Sequence, residues 1–218
     1  MHELFCLDQF DPHQIITVLA AQGALSIPFL REDFREILLR EAQSYTYSPE
    51  PEVVGKGEEA VRQQVSSQCI VSPEGAYAEL RTAFKAVCDN AFQSLDSYPF
   101  ETRLRLTDIR LQQYAARSLG ITPHRDGAQF CNLVCIFMIG GRARLAVCAD
   151  RSARVAREID ISPGRLLLLR APGFLGSDER PFHYLTDIRD ERYSCGLRQR
   201  SPSKAAFTSH TLVTPSRL

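Results

Sequence analysis

Apolar residues are spaced in two ways along this chain, and the change falls near Pro99. Before it they recur at three- and four-residue intervals, the period of a helix with one buried face. After it they come in short runs of strand length, separated by Gly, Pro and Asp turns. Asp11-Pro12 starts a first helix that carries Ile15, Ile16, Val18 and Leu19 and ends near Gly23. A brief apolar strand over 24–30 follows, then a second helix over 31–41 with Phe34, Ile37 and Leu38 on one side. Ser72-Pro73-Glu74 opens the third and most regular helix, whose Tyr77, Leu80, Phe84, Val87, Cys88 and Leu95 form a packing stripe.

From 44 to 75 the period is lost among Ser, Pro, Gly and Glu, apart from a strand near 65–71, and a long irregular stretch of this kind reads as a candidate substrate lid. Strands are expected over 104–114, 130–139, 142–149, 155–161, 165–169, 182–188 and 193–199, with Gly140-Gly141 as a hairpin turn. Many short strands at regular spacing point to a jelly roll or related barrel, and helices that precede them point to an α+β fold with the helical layer outside. The expected organisation is therefore a helical N-terminal extension over 1–100, a barrel core over 101–200 and a tail over 201–218.

Composition adds limits. With 218 residues, 44% hydrophobic and 24% charged, the chain is long enough to bury a sizeable core and has the balance of a globular protein. No apolar run approaches the roughly 18–20 residues that a membrane helix needs, so no membrane association is expected. Glu3, Asp8 and Asp11 stand where a secretory signal would be basic, which makes the cytoplasm the expected compartment. The seven cysteines include no C-x-x-C pair and read as reduced, largely buried thiols. Net charge is zero but uneven: residues 1–100 carry 7 Lys+Arg against 15 Asp+Glu, and residues 101–218 carry 19 against 11. Either the two parts attract each other and present solvated faces, or a polyanionic partner meets the C-terminal part.

The candidate chemistry lies between Gln112 and Arg198. His124 and Asp126 are two apart, so on extended backbone they project to one side at metal-ligand spacing. With His183 they make two imidazoles and a carboxylate, the set that holds Fe(II) and leaves positions open. The same triplet also fits a plain turn after Pro123, closed by Asp126-Gly127. Arg192 and Ser194 share one strand face, and a guanidinium beside a hydroxyl suits a carboxylate. Arg198 repeats that side six residues on; two inward arginines either face solvent or meet an anion.

His124-x-Asp126, His183 and Arg192-x-Ser194 together resemble the signature of the Fe(II)- and 2-oxoglutarate-dependent oxygenases, whose core is a double-stranded β-helix. Gln112-Gln113-Tyr114, Ile139-Gly140-Gly141-Arg142, Pro163-Gly164-Arg165-Leu166 and the run from Arg192 to Arg198 are similar, more narrowly, to the AlkB-like branch. Gln112 stands where that branch has asparagine, and Gly196 where it has threonine. The resemblance covers residues 109–199. It implies that His124, Asp126 and His183 hold Fe(II), and that Arg192 and Ser194 receive the far carboxylate of 2-oxoglutarate. It also implies that Tyr114, Gln112 and Arg198 touch the same co-substrate, and that O2 is consumed in a hydroxylation or demethylation. A small molecule, a protein side chain and an alkylated nucleic acid all stay open as substrate. Two other readings use the same barrel: a non-catalytic binder of an anion or partner, and a cupin-type metal enzyme that needs no 2-oxo acid.

Overall fold

The computed structural model describes residues 4–201, so the expected tail over 201–218 lies almost wholly outside the described residues. Two antiparallel sheets face each other. The larger is ordered β1 (Ala24–Pro28), β11 (Arg165–Arg170), β8 (Phe130–Gly140), β13 (Arg192–Arg200), β6 (Asp108–Tyr114), β5 (Ser66–Cys69) and β2 (Ser48–Pro49). The smaller is ordered β10 (Arg157–Ile159), β9 (Arg144–Cys148), β12 (Phe182–Thr186) and β7 (Ile121–His124). A small ribbon of β3 (Val53–Val54) and β4 (Val61–Arg62) hangs beside β7, where Arg62 N–H donates to Thr122 Oγ1 at 2.9 Å. This is a jelly roll with α-helices on its outside, as the spacing of apolar residues anticipates, and of the double-stranded β-helix kind that the family resemblance implies. Strands β1, β2 and β5 come from the first hundred residues, so both parts of the chain build the larger sheet.

Period-two alternation divides the larger sheet into two apolar faces. Leu133, Cys135, Phe137 and Ile139 of β8, Leu166 and Leu168 of β11, and Tyr193, Cys195 and Leu197 of β13 face the helices. Val134, Met138, Leu167, Leu169 and Tyr114 face the smaller sheet. On the outer face, helices α1 (Pro12–Gln22), α2 (Glu32–Ser44) and α3 (Ala76–Gln93) close over a cluster of rings in which Phe84 meets Phe29 and Phe137 edge-on, at 5.4 and 5.0 Å. The helix on which that cluster rests, α3, begins at Ala76 rather than near Ser72. Its first N–H groups lack a local side-chain cap, and the carboxylate of Glu41 on α2 accepts from Ala76 N–H at 2.7 Å instead. The first helix is capped locally, by Asp11 at one end and left-handed Gly23 (φ 74°) at the other.

Gly140-Gly141 does not close a hairpin. Strand β8 lies in the larger sheet and β9 in the smaller, so the dipeptide carries the chain across from one sheet to the other. A Cβ on Gly141 (φ 78°) would stand 2.3 Å from the Glu191 carbonyl oxygen and 2.6 Å from Arg192 Cα, so only glycine fits where the crossing passes the start of β13.

Candidate metal centre

Strand β7 was hidden from a reading of apolar spacing because Gly120 and Pro123 flank and interrupt it. Its pairing with β12 places His124 directly opposite His183, so the two imidazoles leave the ladder on the same face with ring centroids 4.3 Å apart. Asp126 follows β7 by two residues. One ligand atom from each of His124, Asp126 and His183 lies within 4.8 Å of the others.

The two histidines are held by the same local device. His124 Nδ1 lies 3.0 Å from the Thr122 carbonyl and His183 Nδ1 3.2 Å from the Pro181 carbonyl, each two residues back along an extended segment. A carbonyl only accepts, so Nδ1 carries the hydrogen and Nε2 presents its lone pair. Burial lowers the pKa of His124 from 6.5 to about 4, with smaller contributions in the same direction from His183 and Arg151, so its ring is neutral at neutral pH. Asp126 Oδ2 is buried and has no hydrogen-bond partner among the described residues. A buried, unpartnered carboxylate oxygen facing two imidazole lone pairs is costly unless a cation completes it. These donors fit a divalent transition metal such as Fe(II).

All the residues singled out from sequence line one cavity between the sheets: Gln112, Tyr114, His124, Asp126, His183, Arg192, Ser194 and Arg198. Arg192 is 3% exposed, and burial lowers its pKa. Its neighbours are neutral: the Ser194 hydroxyl at 3.2 Å, Met138 sulfur at 2.9 Å and the Tyr114 ring at 5.5 Å. Arg198 differs, because its guanidinium already donates to Asp108 at 2.8 and 3.2 Å and lies 4.3 Å from the Phe130 ring. Tyr114 is buried, which pushes its hydroxyl up to about 12 and keeps it a proton-bearing donor. Gln112 borders the cavity two residues before it. Sequence reasoning did not find Arg110, which also lines the cavity and reaches Glu50 at 2.7 Å, or Asp108, which neutralises Arg198. Their period-two alternation with Gln112 and Tyr114 along β6 was the available signal.

Two facing antiparallel sheets with His, Asp and His at one end and a buried arginine within define the double-stranded β-helix class of barrels. Among solved structures, the chain is similar to a Trichoplax adhaerens prolyl hydroxylase in complex with a hypoxia inducible factor oxygen degradation domain peptide fragment. That likeness has a TM-score of 0.68 at 17% identity, over 91% of this chain and 92% of that one. A Pseudomonas putida prolyl-4-hydroxylase matches with TM-score 0.62 at 17% identity, over 87% of this chain and 99% of that one. OsALKBH1 matches with TM-score 0.56 at 14% identity, over 81% and 98%. At these identities the likeness establishes the fold that 2-oxoglutarate and Fe(II) oxygenases use. No protein-family model matches the chain, and no curated protein matches it in sequence.

Proposed function

We propose that the protein is an Fe(II)- and 2-oxoglutarate-dependent dioxygenase that oxidises a C–H bond of a second substrate. The observation that carries this reading is the pairing of two deficits in one cavity. Among the described residues, buried Asp126 Oδ2 has no hydrogen-bond donor, and the buried guanidinium of Arg192 has only neutral neighbours. A metal ion completes the first, and a dicarboxylate that reaches from the metal to Arg192 completes the second. A cupin-type enzyme without a 2-oxo acid leaves Arg192 unexplained.

His124 and His183 would hold Fe(II) through Nε2 and Asp126 through its carboxylate. Arg192 would pair with the far carboxylate of 2-oxoglutarate, with Ser194 and the Tyr114 hydroxyl donating to the same end. When bound, iron with the 2-oxo acid and O2 supplies the oxidation of C–H to C–OH, with release of succinate and carbon dioxide. The chain's own share is to neutralise charge, to fix the dicarboxylate against β13 and to line the remaining space with Ile121, Val134, Ile136 and Leu145, which exclude water. Where the oxidised carbon bears nitrogen, the product separates as an aldehyde and the outcome is demethylation.

The similar structures include prolyl hydroxylases and OsALKBH1. The narrower AlkB-like reading, action on alkylated nucleic acid in the cytoplasm, draws support from the motif resemblance and the basic C-terminal part of the chain. Succinate formation from 2-oxoglutarate with Fe(II) in air tests the proposal. Slow substrate-independent turnover in the wild type, lost in His183→Ala, is expected; equal turnover in both contradicts it.

A further inference from the structure

Two of the buried side-chain atoms without a hydrogen-bond partner among the described residues belong to residues that line the cavity, Asp126 Oδ2 and Arg110 Nε. A metal answers the first. No group assigned to the metal or the co-substrate answers the second. Arg110 donates from Nη1 to Glu50 at 2.7 Å and to the Ser67 hydroxyl at 3.4 Å, and Ser67 donates to the same Glu50 oxygen. Its other edge, Nε with Nη2, makes no hydrogen bond among the described residues. This is the edge by which Arg142 and Arg198 each hold a carboxylate, with two parallel N–H groups. A buried N–H left unmet is costly, so the fork is built for an acceptor.

The far carboxylate of 2-oxoglutarate is not that acceptor. The Gly140-Gly141 crossing marks one end of the barrel, where Tyr193 pairs with Gly140 and Arg192 with Tyr114. Phe182 and His183 lie toward the other end, paired with Cys148 and Val147 at the close of β9. Arg110 precedes Tyr114 on β6 and pairs with Gly196, so it stands nearer the metal ligands than Arg192 does. Gly196 sets no side chain across from it. A Cβ there would meet nothing nearer than 3.7 Å, so open space borders Arg110 on the β13 side.

The charge of the acceptor follows from what is already matched. Arg110 is paired with Glu50 and Arg198 with Asp108, while a divalent cation and Arg192 balance Asp126 and the two carboxylates of 2-oxoglutarate. One more carboxylate would be an unmatched charge in a largely buried place, so the fork suits an uncharged oxygen. Among uncharged oxygens the amide carbonyl is the strongest acceptor. The walls are Ile121, Val134, Ile136 and Leu145, and the phenol ring that lines the cavity, Tyr114, is buried with Arg192 5.5 Å from it. A nucleobase finds no open ring to stack on, whereas an aliphatic chain finds matching surface.

We propose that Arg110 is a specificity-determining residue for the second substrate, receiving through Nε and Nη2 the carbonyl oxygen of an amide whose aliphatic carbon lies beside the metal ligands. The inference rests on the oxygenase reading for the metal and co-substrate. It adds the class of molecule oxidised, an aliphatic amide.

The test uses the full chain loaded with Mn(II) and 2-oxoglutarate, and follows by proton NMR how far the metal broadens the methyl resonances of a probe. The probes are 3-methylbutanamide, 3-methylbutanoate and thymidine. Arg110→Met removes the fork, Gly196→Val fills the space beside it, and Glu50→Gln removes the balancing charge while keeping an acceptor for Nη1. The amide should be broadened by the wild type and about tenfold less by Arg110→Met and Gly196→Val, with 2-oxoglutarate affinity within about threefold of wild type in both. In Glu50→Gln the response to 3-methylbutanoate should rise by about fivefold or more. Equal broadening of the amide by wild type and Arg110→Met, no broadening at all, or a stronger wild-type response to the carboxylate or to thymidine overturns the proposal. A wild type that binds 2-oxoglutarate with Mn(II) yet gives one of those results loses this inference alone; one that binds no 2-oxoglutarate loses the oxygenase reading with it.

Discussion

Replacing Arg192 by Met should make the ligand-free protein more stable and the co-substrate site useless, two effects of opposite sign from one change. In the free protein a guanidinium 3% exposed has only the Ser194 hydroxyl, a thioether and a ring face for neighbours. Replacing buried charge with apolar volume is neutral to stabilising by about 1–4 kcal/mol. The lost contact to Tyr114 and the unpartnered Ser194 hydroxyl take back roughly 1–2 kcal/mol. The net expectation is a gain of about 1 kcal/mol, or a rise in Tm of about 2–4 °C for a chain of this size. Binding moves the other way. Two charge-assisted hydrogen bonds to a carboxylate contribute about 1.5–3 kcal/mol each, so 2-oxoglutarate should bind at least a hundredfold more weakly. Thermal unfolding followed by circular dichroism, with and without Mn(II) and 2-oxoglutarate, reads both effects. At a hundred times its Kd the ligand adds about 2.7 kcal/mol to the wild type, and it should add almost nothing to the variant. An Arg192→Met protein that melts lower than wild type when free and still gains the full shift from 2-oxoglutarate would refute the reasoning.

Gly141→Ala places a methyl 2.3 Å from the Glu191 carbonyl at a left-handed position, and should cost several-fold more stability than Gly176→Ala, where the space is open and only φ is strained; urea midpoints compare them. Phe84→Ala removes a fully buried ring from between Phe29 and Phe137 and should cost about 3–5 kcal/mol by denaturant unfolding, while 2-oxoglutarate affinity of the folded protein stays unchanged. His124 has a folded pKa of about 4 against 6.5, so the unfolded chain takes up this proton first as pH falls. The metal-free protein should therefore lose stability between pH 6.5 and 4, with a shallower decline in His124→Gln. Parallel Tm-against-pH curves for the two would contradict a neutral buried imidazole.

The larger sheet was legible because its strands carry apolar residues on both faces and so read as continuous runs, as in Phe130 to Ile139. The cavity-facing set could be read as well, since Arg192 and Ser194 or His124 and Asp126 need only period two to fall together. What could not be read was which strand meets which. That His124 faces His183, and that Asp108 is opposite Arg198 and removes its charge, are facts of register between segments about 60 and 90 residues apart. Gly140-Gly141 announces a turn but not whether the chain returns to the same sheet or crosses to the other. The two-residue strands β2, β3 and β4 hold too few side chains to establish any period. Glu41 capping α3 is likewise invisible, because the capping group lies 35 residues before the N–H it satisfies.

The most direct measurement is calorimetric titration of 2-oxoglutarate into the wild type with and without Mn(II), repeated on His183→Ala and Arg192→Ala. The account predicts binding that requires the metal and disappears in both variants. Mn(II) binding without any 2-oxoglutarate binding, or no metal binding at all, would contradict it and return His124, Asp126 and His183 to the role of a strand end and its turn.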